Sequence, residues 1–428
     1  MAKYEIKDGV GIIPEGTTII EKQAFKSDRS LTSIVIPDSV TQIDKYAFCH
    51  CDSLTHIDLP SQLKSIPIGT FSSSGLVDID IPDSVLTIGN NAFGGCKALT
   101  RVSIPSSVTT IEKNIFGARE KTLEGPHGPC PNLKSIVVAE GNKVFDSRGN
   151  CNAIIESDTN KLLFGCSTTV IPASVKAIGE FAFDSCKNLT HIDIPQGVDT
   201  IERGAFRSCE SLESISLPDS VKEIGANAFW DCIKLTDVKL PQNITEIQAG
   251  VFRCCEALTD IVIPETVTAI KSNAFGGCKS LKNVNIPNAV TKIEEYTFSY
   301  CTSMAEITIP DSVKEIKKYA FYNSGISSIV IPKSVTAIGL YAFQECKMLK
   351  EATIMGAVKK MDSTFEQCRS LETVTFGNKV KATNGEAFSY CDALKTINVP
   401  SGTSDHYCQL LPANLHSLII ELPAEKKK

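Results

Sequence analysis

Two neighbouring stretches carry the residues best suited to chemistry. His56-x-Asp58 and Asp78-x-Asp80 set one imidazole among three carboxylates, and His191-x-Asp193 repeats the first arrangement. Such a group binds a divalent cation or a basic partner, or else forms a solvated acidic face. On a sugar-binding surface, Asp58, Asp78 and Asp80 would be candidates for acid/base work on a glycosidic bond. Catalysis needs a nucleophile and a base brought together in a cleft. Neither Gly-x-Ser-x-Gly nor His-Glu-x-x-His occurs in the sequence. His127 and Cys130, in a Gly-Pro-His-Gly-Pro-Cys loop, are two ligand types where a structural zinc takes four. No catalytic residue, metal site or cofactor is expected.

A repeat places these residues. Ile263 to Leu281 reads IPETVTAIKSNAFGGCKSL, and Ile194 to Leu212 reads IPQGVDTIERGAFRSCESL. Phe183, Phe206, Phe229, Phe252, Phe275, Phe298 and Phe321 follow one another at 23-residue steps. A period in the twenties specifies a solenoid. Each coil holds two extended pieces. In Leu54-x-x-Ile57-x-Leu59-Pro60 the alternating apolar residues point inward, while His56 and Asp58 point out. Proline ends that strand because it donates no ladder hydrogen bond. A turn such as Asp38-Ser39 follows, then Val40-x-x-Ile43 on the opposite wall, then Ala-Phe-x-x-Cys. The outward positions form two columns. One holds His56, Asp78, Arg101, His191, Asp237 and Asp260; the other holds Asp58, Asp80, Asp193 and Lys239. Ordered strands carrying variable side chains are the natural binding surface of a repeat protein.

Seventeen cysteines would ordinarily suggest disulfides. Most, however, sit three residues after a repeat phenylalanine: Cys51 after Phe48, Cys186 after Phe183, Cys209 after Phe206, Cys232 after Phe229, Cys278 after Phe275. Coils stack at roughly 5 Å, and a disulfide wants Cβ atoms about 3.8 Å apart. The column is therefore expected to be buried thiols packing as small hydrophobes. Cys151 and Cys166 differ. They lie symmetrically about Asp158 and Thr159, so a regular hairpin would face them across its strands, expected here as reduced thiols.

The expected architecture is a mostly β, right-handed solenoid of about 16 coils, with a parallel sheet on its concave face and a length of roughly 80 Å. Residues 1–30 form an N-terminal half coil and first turn, and 31–116 a first array. Residues 117–170 form a Gly/Pro loop and an atypical coil with a hairpin about Ser157–Asn160. Residues 171–400 form a second array and 401–428 a cap and tail, the whole being one continuous domain. The 42% hydrophobic and 21% charged content is ordinary globular composition. Net charge is −6, with no Lys/Arg stripe, so nucleic acid is an unexpected partner. No apolar run reaches the roughly 18 residues of a membrane span. The N-terminus MAKYEIKDGV has no apolar signal core, which points to a soluble, monomeric chain, cytoplasmic if that terminus is native.

The repeat Leu258, Ile261, Ile263, Pro264, Val267, Ile270, Ala274, Phe275, Cys278 closely resembles the BspA-like (Treponema-type) leucine-rich repeat of bacterial proteins. The resemblance covers nearly all of residues 10–400, and NCNAIIESDTNKLLFGC also looks like a bridging segment of such proteins. It implies a curved solenoid that binds a protein or glycan, and, from its surface-attached members, adhesion to host matrix. Two other readings stay open: an intracellular protein-interaction module and a carbohydrate-active solenoid.

Overall fold

The computed structural model describes residues 4–117, 121–122, 125–126 and 130–423. It is a parallel-strand solenoid of about 17 turns with a period of roughly 23 residues. The chain divides into two compact units, Met1–Leu212 and Glu213–Lys428, the division falling inside the stretch expected as one array at 171–400.

In the first unit, Asp78–Asp80 pairs in parallel with Arg101–Ile104, which pairs with Ser135–Val138. The opposite wall is built from two-residue strands, Ser65–Ile66, Thr87–Ile88 and Thr110–Ile111, again parallel. In the second unit, Ser328–Ile331, Glu351–Ile354, Thr373–Phe376 and Thr396–Val399 pair in sequence. The proline step works as a turn: the Val40 N–H donates to Pro37 O and the Val267 N–H to Pro264 O, both at 3.0 Å. The serine beside it ties two coils together. Ser39 Oγ donates to Thr17 O (2.8 Å) and Ser312 Oγ to Val290 O (2.7 Å).

The phenylalanines form the core. Phe25, Phe48, Phe71 and Phe93 stack at 5.4–5.9 Å in the first unit, and Phe229 to Phe388 at 5.0–5.8 Å in the second. Nearly all are fully buried, each contributing about 1.5–3 kcal/mol of apolar burial. Reaching the core requires a sharp turn. The residue two before the phenylalanine and the residue two after it are left-handed in coil after coil, as at Tyr46 and His50, Asn227 and Asp231, Tyr319 and Asn323. That conformation costs a non-glycine residue about 1–2 kcal/mol. Glycine at such a position serves a further end at Gly204, where a Cβ would lie 2.4 Å from the Phe181 ring.

Beyond packing, the column cysteines also form hydrogen bonds. The thiol of one coil donates to the phenylalanine carbonyl of the coil before: Cys51 to Phe25 O (3.0 Å), Cys209 to Phe183 O (3.2 Å), Cys278 to Phe252 O (3.1 Å) and Cys301 to Phe275 O (3.3 Å). Cys232 is fully buried and shapes the turn through its backbone as well as its volume. Its N–H donates to Phe229 O (3.2 Å), and its carbonyl accepts the Leu235 N–H (3.1 Å). The same Phe229 carbonyl takes the Cys255 thiol of the next coil at 3.2 Å. Cys186 departs from the expected burial and is only half-buried. The preceding coil offers a hairpin strand instead of a phenylalanine turn, so the Cys186 thiol meets Gly165 O at 3.8 Å. No disulfide joins any of the seventeen cysteines. Burial pushes Cys51 and Cys301 up to about 12, so they stay protonated at neutral pH.

The atypical coil is a three-stranded antiparallel element. Phe145–Asp146 pairs with Ala153–Glu156, which pairs with Lys161–Gly165. Lys161 and Leu162 then pair in parallel with Ala177 and Ile178, returning the chain to the solenoid. A bulge at Ile154/Ile155 corrects the expected facing of Cys151 and Cys166. It moves the register by one, setting Ala153 opposite Gly165, so Cys166 comes beside Asn152. The Cys166 sulfur accordingly contacts Asn152 O at 3.5 Å. Phe164 meets Phe116 edge-on at 5.8 Å in place of a stacked ring. Gly165 makes room for the next ring, since a Cβ there would stand 2.2 Å from Phe183.

The array ends are closed differently. Tyr4 stacks on Phe25 at 5.4 Å. At the other end the helix Ser404–Leu410 seats Tyr407, fully buried, 4.8 Å from Phe376, and its hydroxyl donates to Asn378 O (2.8 Å). Within this cap Leu411 is buried, whereas Ile420 is exposed on the last strand, Ile419–Glu421. Glu421 accepts the Gly402 and Ser404 N–H groups at 2.9 Å, capping the helix.

Candidate functional site

The in-out alternation of the backbone carries every candidate residue outward. In the first unit, His56, Asp58, Asp78, Asp80, Arg101, His191 and Asp193 are exposed; in the second, Asp237, Lys239 and Asp260 are. Their inward neighbours Ile57, Ile79, Val102, Ile192, Val238 and Ile261 are buried. The parallel register places Asp78 beside Arg101, Ser214 beside Asp237 and Ser216 beside Lys239.

Part of the expected cluster assembles. His56 Nε2 lies 3.2 Å from Asp58 Oδ1, and His56 Nδ1 lies 3.6 Å from Asp78 Oδ1. Asp80 points outward on the same strand as Asp78 but outside these contacts. His191 Nε2 lies 3.0 Å from Asp193 Oδ1. The coils carrying both His-x-Asp pairs keep the in-out alternation without regular ladder pairing, a departure from the expected strands. These contacts are exposed, with Asp58 94% accessible, and each is worth about 0–1 kcal/mol. Among the described residues, no group of three or more His, Cys, Asp or Glu side chains is placed to hold a metal ion. His127 lies outside the described residues, and Cys130 is buried, donating to Phe93 O at 3.0 Å.

The strand face of the second unit is polar in detail. The Asp260 carboxyl accepts from Asn283 Nδ2, and hydrogen bonds from Asn283 and Thr259 hold it below its ordinary value. Asn285 folds back on the neighbouring coil, accepting the Ile263 N–H (2.7 Å) and donating to Ile263 O (2.8 Å). Between these polar groups stand single exposed valines, Val262 at 77% and Val330 at 59% accessible. The arrangement offers hydrogen bonds, carboxylates and small apolar contacts on a rigid ladder. It suits recognition.

A second feature escaped the sequence reading. At the left-handed position two before the phenylalanine, three successive coils of the second unit carry Tyr296, Tyr319 and Tyr341. Their rings stack at 4.8 and 5.1 Å. Tyr300 meets Tyr322 edge-on at 5.1 Å, and the Tyr322 hydroxyl donates to Glu345 Oε1 (2.8 Å). Elsewhere the same position most often holds Asn or Gly, as at Asn91, Asn114, Asn227, Gly250 and Asn273, types that adopt a left-handed backbone more readily, although Gln23, Tyr46, Phe181 and Ser363 also occupy it. Ring stacking returns about 0.5–1.5 kcal/mol per pair, which offsets only part of the backbone cost of about 1–2 kcal/mol per residue. Aligning the repeats on the phenylalanine and reading that one column would have found the row.

A sequence profile described as "BspA type Leucine rich repeat region" matches residues 12–125, 155–282 and 268–395, in six copies. Similar solved structures include leucine-rich repeat proteins of several bacteria. A leucine-rich repeat protein of Eubacterium ventriosum is 26% identical, covering 73% of this chain and 82% of that one, with a TM-score of 0.64. A leucine rich cell surface protein of Faecalibacterium prausnitzii is 35% identical over 68% of this chain and 69% of that one, with a TM-score of 0.50. A leucine-rich repeat protein of Bacteroides ovatus, 22% identical over 95% and 88% with a TM-score of 0.50, shares the fold. No curated protein matches the sequence.

Proposed function

We propose that this chain, which belongs to the BspA-type leucine-rich repeat family, is a non-enzymatic binding scaffold that holds a protein partner on the exposed strand face of its coils. One observation carries this reading. The buried positions of successive strands repeat the same aliphatic types, while the exposed positions beside them change, as from Asp78 to Arg101. Such a surface is specific by its side chains and rigid by its ladder. The finer reading is attachment at a bacterial cell surface, to host matrix proteins or glycans. The Faecalibacterium prausnitzii relative supports it, being a leucine rich cell surface protein.

The test has two parts. Intact native cells are labelled with a membrane-impermeant reagent, and the purified protein is screened against matrix proteins and glycans. Surface labelling with a matrix or glycan hit supports the finer reading. A combined H56A, D58N, D78N, D80N variant should then lose binding by about ten-fold or more while its circular dichroism stays unchanged. Recovery from the cytosol alone would sink the surface reading and favour an intracellular partner. Release of reducing sugar from a polysaccharide panel would overturn the non-enzymatic one.

A further inference from the structure

We propose that the tyrosine row of the second unit, with the hollow at its end, is a second interaction surface that takes an arginine- or lysine-bearing segment of a partner protein. The row of Tyr296, Tyr319 and Tyr341 lies on the phenylalanine turns, away from the strand columns. Tyr341 also lines an open hollow with Tyr390, Glu366, Glu386, Asp392 and Asn414, and neither lysine nor arginine lines it. Tyr390 is 65% exposed.

The charge pattern sets this hollow apart. Elsewhere in the unit, glutamates commonly meet a lysine: Glu256 with Lys279 at 2.8 Å, Glu372 with Lys395 at 2.7 Å, Glu345 with Lys347 at 3.3 Å. Among the described residues, Glu366, Glu386 and Asp392 have no lysine or arginine nitrogen within ion-pairing distance. Glu386 accepts only neutral donors, Asn384 Nδ2 (3.1 Å) and Ser363 Oγ (3.2 Å). Unpaired carboxylates beside an exposed aromatic ring complement a guanidinium or ammonium group, whose charge meets the acids and whose stem lies on the ring.

The geometry also separates this guest from others. A metal ion is disfavoured, because no three such ligands converge among the described residues. A sugar chain wants open ring faces in succession, but the half-buried rings of the row cover one another's faces. Tyrosine presented this way is the amphipathic, low-entropy contact surface typical of protein–protein recognition.

The probe is a fluorescein-labelled hexa-arginine peptide, its binding followed by anisotropy. The variants are Tyr390→Ala, whose exposed side chain is removed without touching the core, and E366Q/E386Q/D392N. D58N/D78N/D80N, which removes the same charge from the strand face, is the control. Each hollow variant should weaken binding by about ten-fold, and the control by less than about two-fold. Equal weakening by the control would reduce the effect to net charge and overturn the proposal, as would wild-type affinity in both hollow variants. A glycan bound by the wild type and lost in Tyr390→Ala, with the peptide unaffected, would assign the surface to sugar instead. Failure here leaves the strand-face reading intact, because that reading is tested through His56, Asp58, Asp78 and Asp80.

Discussion

The coils from Phe229 to Phe388 and the segment between Phe116 and Phe183 solve the same packing problem by opposite means. In the regular coils each ring lies nearly flat on the next, column thiols donate to phenylalanine carbonyls, and turn serines cross-link several of the coils. Position in the repeat decides a residue's role. In the irregular segment the ring stack is replaced by one edge-on contact at Phe164. Individual side chains then do what columns do elsewhere. Arg148 donates to Asp146 Oδ1 (2.7 Å), to Asn160 Oδ1 (2.7 Å) and to Ser174 Oγ (3.2 Å), while Ser157 Oγ donates to Asp146 Oδ2 (2.7 Å). Partial burial raises the Asp146 carboxyl, but those hydrogen bonds outweigh it and hold the group below its ordinary value. Columnar packing spreads its stabilisation over many equivalent residues, whereas the interruption concentrates it in a few.

The sharpest test pairs two truncations. Phe275→Ala removes a fully buried ring stacked on both sides and should cost about 3–5 kcal/mol. Phe164→Ala should cost less, because that ring is edge-on and partly accessible. Denaturant unfolding with amide exchange compares them, and equal losses would mean the interruption packs as a regular coil. Gly165→Ala comes next. Its Cβ meets the Phe183 ring, so a loss of about 1–3 kcal/mol is expected, and a neutral result would show that Phe183 can move.

These outcomes bear on what the chain discloses about itself. The phenylalanine period, the proline turn and the hairpin strands 153–156 and 161–165 are all readable, because each follows from one repeated residue type or from a polar turn between apolar runs. The hairpin bulge is hidden, since its one-residue shift leaves the composition of both strands unchanged. The left-handed turn positions are hidden for another reason. They hold Tyr, Ser, Glu, Gln and Asp as well as Asn and Gly, so the backbone there is set by the closing of the coil rather than by local preference. The column position of Cys186 and Cys232 was legible too, but not that one would be half-buried beside a hairpin and the other sealed between two regular coils. At the candidate site the outward direction of His56 and Asp58 was legible, but the contact of His56 with Asp78 depends on the neighbouring coil.

The cysteine column gives a smaller effect. Cys301→Ala should cost about 1 kcal/mol, because the Phe275 carbonyl keeps the Cys278 N–H when the thiol is lost. The column also has an alkaline signature. A thiol of ordinary value 9.0 that burial holds near 12 keeps its proton while the unfolded chain ionises. Stability is therefore full below pH 9 and falls as pH rises toward 12. Unfolding midpoints across that range should drop less in Cys301→Ala than in the parent.

The smallest expected effect is at the last helix. Its backbone N–H groups at Gly402 and Ser404 hold the Glu421 carboxyl down to about 2. The cap is complete above the ordinary value of 4.5 and is lost as pH falls toward 2. Amide exchange at Gly402 and Ser404 should quicken over that window, and Glu421→Gln should remove the pH dependence there.

Bonding at a constant offset also bears on inheritance. The Phe48 N–H reaches Thr70 O in the following coil, and the Thr41 N–H reaches Thr18 O in the preceding one. A regular coil thus offers its neighbours the same donors and acceptors as any other, whatever its outward side chains. An in-frame duplication or loss of one coil by unequal crossing-over would leave both junctions bonded, so this gene can change length without first inventing a compensating mutation. The interruption lacks that freedom, because Arg148, Asn160 and Ser174 are matched to one another. Lineages should therefore differ in the number of coils on either side of it and agree on the segment itself.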